Sequence, residues 1–108
     1  MAKRVPYLFP NVMRVLEQFG ADIKLARLRR DISLRLMSER TGISVVTLTQ
    51  IERGSPTVAM GNYLQVLFVL GMDKNLLQVA ADDQLGRKLQ DLQLQTRKRA
   101  SRKGVISE

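Results

Sequence analysis

Ser33-Leu34-Arg35-Leu36-Met37-Ser38-Glu39-Arg40-Thr41-Gly42-Ile43-Ser44-Val45-Val46-Thr47-Leu48-Thr49-Gln50-Ile51-Glu52-Arg53-Gly54 contains two helix starts and two helix stops in one short run. Ser33 is a good N-cap, and the helix it opens reaches Thr41 before Gly42, a residue free to take the left-handed conformation that ends a helix. Ser44 then caps again, and Leu48 and Ile51, three apart, mark the apolar side of a third short helix that stops at Arg53-Gly54. Two short helices joined by a tight turn must pack at a steep angle. That demands a small side chain where the backbones approach, here Ser38, and a turn residue tolerant of positive φ four positions later, here Gly42. Met37, Ile43, Leu48 and Ile51 supply the shared apolar seam.

Upstream, Val12, Leu16, Phe19, Ile23 and Ala26 recur at helical spacing, which predicts an amphipathic helix over residues 11–30. Pro10 and Asn11 mark its start, and Arg27, Arg29 and Arg30 suit its C-terminal, negative pole. Gly20 in its interior costs about 1 kcal/mol against Ala and is expected to bend or shorten it. Downstream, Thr57 and the run through Val58, Met60, Tyr63, Leu64, Leu67 and Leu70 predict a fourth helix closed by Gly71, with a face broad enough to be almost wholly buried at the centre of the core. Asp73 caps a predicted fifth helix, Lys74 to Ala81, whose Leu76, Leu77, Val79 and Ala80 would dock on the fourth helix or on a second subunit.

Beyond it, Leu85, Leu89 and Leu92 are spaced for a helix, while the alternating end of Leu89-Gln-Asp-Leu-Gln-Leu-Gln95 also fits a strand, so both stay open. The expected organisation is an N-terminal arm over 1–10, a domain over 11–81, an extension over 82–96 and a flexible basic tail over 97–108. In the arm, Val5, Tyr7, Leu8 and Phe9 are apolar enough for a docking strand or an ordered segment. No block recurs at a fixed period.

The 108 residues, 44% hydrophobic and 5% aromatic, fit one compact all-α domain plus a tail. A net charge of +8 points to a polyanion, with nucleic acid ahead of an anionic membrane surface. Half the excess lies in the tail, where Arg97, Lys98, Arg99, Arg102 and Lys103 face Glu108 alone. Without cysteine or histidine, disulfides, zinc sites, thiol chemistry and His-based acid/base catalysis lack their reagents. No Gly-rich phosphate loop is present, and Asp82-Asp83, the one adjacent acidic pair, suits a helix end better than a catalytic pair. The expectation is a protein that is not an enzyme and needs no cofactor or metal. The longest apolar run, Val66 to Leu70, is far below the roughly 20 residues of a membrane span. The start does not lead into a signal-peptide apolar region, and a cytoplasmic, nucleoid-associated protein is expected.

Ile23-x-x-x-Arg27-x-x-Arg30-x-Ile32-Ser33, followed by Gly42-Ile43-Ser44-x-x-Thr47-Leu48-x-x-Ile51-Glu52-Arg53-Gly54, resembles the phage-repressor (Cro and C1, XRE-type) helix-turn-helix family over roughly residues 12–81. The resemblance implies a five-helix lambda-repressor-like DNA-binding domain with a basic C-terminal tail. In such a domain one helix supports a second that enters the major groove, where each base pair presents its own donor and acceptor pattern. Residues 54–71, Gly-Ser-Pro-Thr-Val-Ala-Met-Gly-Asn-Tyr-Leu-Gln-Val-Leu-Phe-Val-Leu-Gly, with Gln84-Leu85-Gly86-Arg87, resemble more narrowly the DNA-binding antitoxins of Hip-type toxin–antitoxin systems. That would imply a homodimeric autorepressor of operator DNA that also holds a serine/threonine-kinase-like toxin, directly or with a further small antitoxin subunit.

Carried across position by position, the resemblance makes Ser44, Val45, Val46, Thr49 and Gln50 the base-reading side of the third helix. Gln50 suits adenine N6 and N7, whereas Val45 or Val46 would meet a thymine methyl or sugar carbons. The plainer reading of the two valines is burial. Phosphate contacts fall to Ser33, Arg35, Arg40, Arg53 and the tail's Arg97, Lys98 and Arg99. Leu34 stands where the family often has a phosphate-gripping Gln, which moves attention to Ser33. Arg27 and Glu52 would pair as a partly buried ion pair, and Met37, Ser38, Gly42, Ile43, Leu48, Ile51 and Gly54 complete the structural set. Individually the cations, Lys24 and Arg29 included, read as ordinary surface charges; together they would set affinity through counterion release.

Two other classes fit parts of the chain. A stand-alone phage-type regulator would need no protein partner. A non-specific nucleic-acid-binding protein would rely on the tail, but Tyr7, Phe9, Phe19, Tyr63 and Phe68 are few, and the last three fall on predicted packing faces.

Overall fold

A computed structural model describes the backbone of residues 7–102 and the side chains of residues 7–95. These residues form α1 (Pro10–Arg29), α2 (Leu34–Thr41), α3 (Val45–Glu52), α4 (Met60–Leu70), a 3-10 helix (Asp73–Gln78) and α5 (Gln84–Arg102), with no strand among them. The chain divides into two units, Met1–Leu76 and Leu77–Glu108.

In the first unit, Pro10 occupies the first turn of α1, where its missing N–H removes nothing and its fixed φ suits a helix. Ser33 accepts a 3.0 Å hydrogen bond from the Leu36 amide to open α2, and Ser44 accepts one of 3.2 Å from the Thr47 amide to open α3. Between them Gly42 closes α2 at φ 74°, a left-handed conformation that a Cβ would strain. α1 packs on α3 and α4, and α2 packs on α3 and α4. At the centre Met37, Leu48, Ile51 and Val66 are almost completely buried, joined by Ile23, Ala26, Ile32, Ile43, Tyr63, Leu67 and Leu70. The apolar seam read from the turn region is therefore inside the core.

Four sequence expectations change. α4 begins at Met60, not Thr57, because Ser55 to Val58 form a turn in which the Ser55 hydroxyl accepts from the Thr57 amide. Its face is not wholly buried: Tyr63, Val66, Leu67 and Leu70 point inward, but Met60 and Phe68 are about two-thirds exposed, at 69% and 66%. The predicted fifth helix over 74–81 is instead the 3-10 helix Asp73–Gln78, none of whose residues is buried. Leu76 is half-buried, but Leu77 and Val79 are exposed and Ala80 with them, so the expected apolar set is not covered as one face.

The second unit settles the open question over 84–95 in favour of a helix. Asp83 Oδ1 accepts from the Gly86 amide at 2.9 Å, a side-chain cap that a strand would not use. Leu85 and Leu89 are exposed, and no residue over 77–95 is buried. α5 continues through Arg102, so residues 97–102 of the expected flexible tail are helical. Once a helix is capped and started, extension through good formers such as Arg97, Lys98, Arg99 and Ala100 is easier than nucleation. Residues 103–108 of that tail, and residues 1–6 of the arm, lie outside the described residues. In the rest of the arm Tyr7 and Phe9 are exposed and Leu8 is half-buried. No helix among the described residues is long and apolar enough to cross a membrane.

Candidate nucleic-acid interface

The geometry of α3 follows from which of its side chains the core takes. Leu48 and Ile51 are buried at 1% and 0%, which fixes the helix rotation and turns Val46 and Gln50 outward. Val46, Gln50 and Arg53, spaced four and three, run along one outer stripe; all three are exposed, and Val46 is 70% exposed. Val45 is 41% exposed, so neither valine is a core residue. Thr49, half-buried, donates its hydroxyl proton to the Val45 carbonyl at 2.9 Å and keeps only acceptor capacity for a ligand. Ser44, exposed, accepts from the Thr47 amide and donates to Thr47 Oγ1 at 3.0 Å, so its hydroxyl is committed to the cap. Among the five residues expected to read bases, Gln50 keeps an exposed side chain able to donate and accept at once.

Among the expected phosphate contacts, Ser33 is exposed but its hydroxyl also serves as a cap. Arg35 and Glu39 form an exposed pair at 4.0 Å, the outer limit of an ion pair, which leaves Arg35 free to turn to an anion. Arg40 and Arg53 are exposed. The side chains of Arg97, Lys98 and Arg99 lie outside the described residues, although their backbone belongs to α5.

A buried bracket holds this face in place. Arg27 Nε donates to Glu52 Oε2 at 2.6 Å, its Nη2 to Oε1 at 3.0 Å, and its Nη1 to the Ile32 carbonyl at 2.7 Å. The fork joins the C-terminal ends of α1 and α3 to the turn entering α2, with both side chains less than a tenth exposed.

Three features of the site went unread in the sequence. Thr41, buried, donates to the Met37 carbonyl at 2.7 Å and accepts from the Ile43 amide at 3.1 Å, knitting the turn together. Tyr63 donates its hydroxyl proton to the Ser55 carbonyl at 2.6 Å and stacks on Phe19 with ring centroids 5.6 Å apart, pinning the segment after α3. Burial raises the Tyr63 phenol above its ordinary pKa. Third, Gly20 does not shorten the first helix as expected, since α1 runs unbroken from Pro10 to Arg29; it is buried where α1 crosses the end of α3, and a Cβ there would lie 2.5 Å from the Gly54 nitrogen. The signal for Gly20 was present, since a glycine inside a strong helix asks what approaches it.

Residues 23–66 match the helix-turn-helix family. The matched span runs from the second half of α1 through most of α4, and so contains the α2–turn–α3 unit, the bracket and the outward stripe. The match supports the XRE-type, Cro and C1 kind of helix-turn-helix, and with it a DNA-binding transcription regulator. No curated protein and no solved structure matches the chain.

Proposed function

We propose, from a helix-turn-helix over residues 23–66, that the chain is a sequence-specific repressor that binds two-fold symmetric operator DNA as a homodimer and has no enzymatic activity of its own. The observation that carries the reading is the outward stripe of α3: Gln50 flanked by Val46 and Arg53, on a helix whose opposite side is locked into the core. A helix held this way presents a side-chain amide, an aliphatic group and a cation to one surface. Those groups complement an adenine edge, a thymine methyl and a phosphate. The narrower resemblance of residues 54–71 and 84–87 supports a place as the autoregulatory antitoxin of a Hip-type system, with a kinase-like toxin or a further antitoxin subunit as partner.

The test is a titration of the protein against its own promoter fragment and a scrambled duplex of equal length, at two salt concentrations. A specific repressor prefers the promoter by about 10³ or more and keeps that preference at the higher salt. Equal binding that collapses with salt overturns the reading in favour of non-specific polyanion binding.

A further inference from the structure

Among its described residues, the first unit exposes a large apolar surface. A groove of about 420 Å³ lies between the N-terminal half of α1, the turn after α3 and α4, with Leu16, Phe19 and Tyr63 among its lining. Its walls stand in solvent: Val15 from α1 and Met60 from α4 are each 69% exposed, and Leu64 is 38% exposed. α4 carries no charged residue anywhere from Met60 to Leu70, in a chain with net charge +8. Loss of charge at the centre of a patch of exposed aliphatic side chains is the compositional mark of a buried protein contact, and a monomer rarely leaves such a patch open.

We propose that this face is where a second copy of the chain docks, groove and walls of one copy against walls and groove of the other. Three observations select a second copy. The same face offers a hollow and the protruding side chains that fill one, which is what an isologous two-fold contact requires. Arg14 and Glu17 flank Val15 on α1, so this stretch carries one charge of each sign and does not repel its own copy, although the whole chain does. No residue lining the groove comes from α2 or α3, so pairing here leaves the Val46–Gln50–Arg53 stripe open to DNA. The proposal rests on the dimeric reading above and names the surface that makes the dimer.

The test is sedimentation of the full chain without DNA, comparing the wild type with Val15→Glu, Met60→Glu and Leu89→Glu. Circular dichroism on each variant checks that the helices remain. The two groove-wall positions are already largely solvated, and a glutamate at the first residue of α4 favours its dipole, so the fold is retained. The expected result is a wild-type dimer that both groove variants weaken about 30-fold or more, with Leu89→Glu unaffected. A dimer that survives both groove substitutions, or that only Leu89→Glu dissociates, overturns the proposal, as does a monomeric wild type. Titration of a single half-site duplex separates this from the DNA reading. A monomer that still prefers the operator half-site removes the surface alone, whereas a groove-dependent dimer without sequence preference removes the DNA reading alone.

Discussion

Gly20 and Gly54 bring the backbones of α1 and the α3 exit into direct contact. A Cβ on Gly20 would lie 2.5 Å from the Gly54 nitrogen and 2.6 Å from the Ile51 carbonyl oxygen, and a Cβ on Gly54, at φ 73°, would strike the Leu16 carbonyl. Both obstacles are backbone, which cannot turn aside as a side chain would. The crossing sets how close α3 sits to α1, and therefore how its outer stripe is presented.

Gly20→Ala is accordingly expected to destabilise the domain, since about 1–3 kcal/mol of overpacking outweighs the roughly 1 kcal/mol that alanine gains in a helix interior. Gly61 supplies the control. It is the second residue of α4 with nothing within 4 Å of its would-be Cβ, so Gly61→Ala is expected to stabilise, by less than the roughly 1 kcal/mol that the same change gains in a helix interior. Urea midpoints of the two variants test the contrast. Equal shifts of the same sign would show that helix propensity alone governs both positions.

The Arg27–Glu52 bracket predicts a strongly non-additive pair. Removing Arg27 leaves a carboxylate that is mostly buried, and Arg27→Ala is expected to cost about 3–5 kcal/mol, whereas replacing both partners by apolar residues of similar volume costs far less. Arg27→Lys does not rescue, because one ammonium cannot reproduce three donors aimed at Glu52 and at the Ile32 carbonyl. A double-mutant cycle on Arg27→Met and Glu52→Leu measures this. Additive costs would mean that the two side chains act separately.

These two contacts also show how much the sequence disclosed. Local rules reached α2, the turn and α3 to the residue, because Ser33, Gly42 and Ser44 fix their own backbone through caps and a left-handed turn. The periodicity of Ile23 and Ala26 likewise picked out buried positions. What local rules did not reach depends on what lies opposite. Gly20 read as a flaw until Gly54 faced it, and the face of α4 read as almost wholly buried because nothing in its own sequence separates a face covered by α1 and α2 from one left open beside the groove. The predicted fifth helix failed for a related reason: capping and apolar content at 73–81 do not distinguish α from 3-10 winding when no partner surface rewards a 3.6-residue stripe. In the interface, the family resemblance put Val46 and Gln50 on the outer side of the third helix, and the spacing of Leu48 and Ile51 marked the apolar side. The burial of Leu48 and Ile51 in α3 turns that pair outward.

Tyr63 predicts an alkaline limit to stability. Burial raises its phenol pKa above the ordinary value of 10.0, so the folded state holds this proton more tightly than the unfolded chain does. Its stabilising contribution is fully present below the unfolded pKa and is lost as pH rises through the folded one. Tyr63→Phe removes the hydrogen bond to the Ser55 carbonyl and is expected to cost about 1 kcal/mol at neutral pH. The gap between wild type and variant should narrow above about pH 10, the range where the phenol begins to ionise in the unfolded chain. Melting temperatures at neutral and alkaline pH check it, and a gap that stays constant would remove Tyr63 from the pH dependence.

Gln50 and Arg53 share one stripe of α3 but differ in what they can report. A side-chain amide pairs with one base edge, so Gln50→Ala is expected to cost about 1–3 kcal/mol on the operator, to relax preference at one base position and to leave random duplex unchanged. A guanidinium at the exposed end of the helix, beside Gly54, meets phosphate on any sequence. Arg53→Ala should therefore weaken operator and random duplex alike and lower the slope of log affinity against log salt by about 1. Titrations of both variants against operator and scrambled duplex over a salt series separate the roles. If Gln50→Ala lost affinity equally on both duplexes, the amide would be another backbone contact, and sequence reading would have to pass to Val46 and the acceptor oxygen of Thr49.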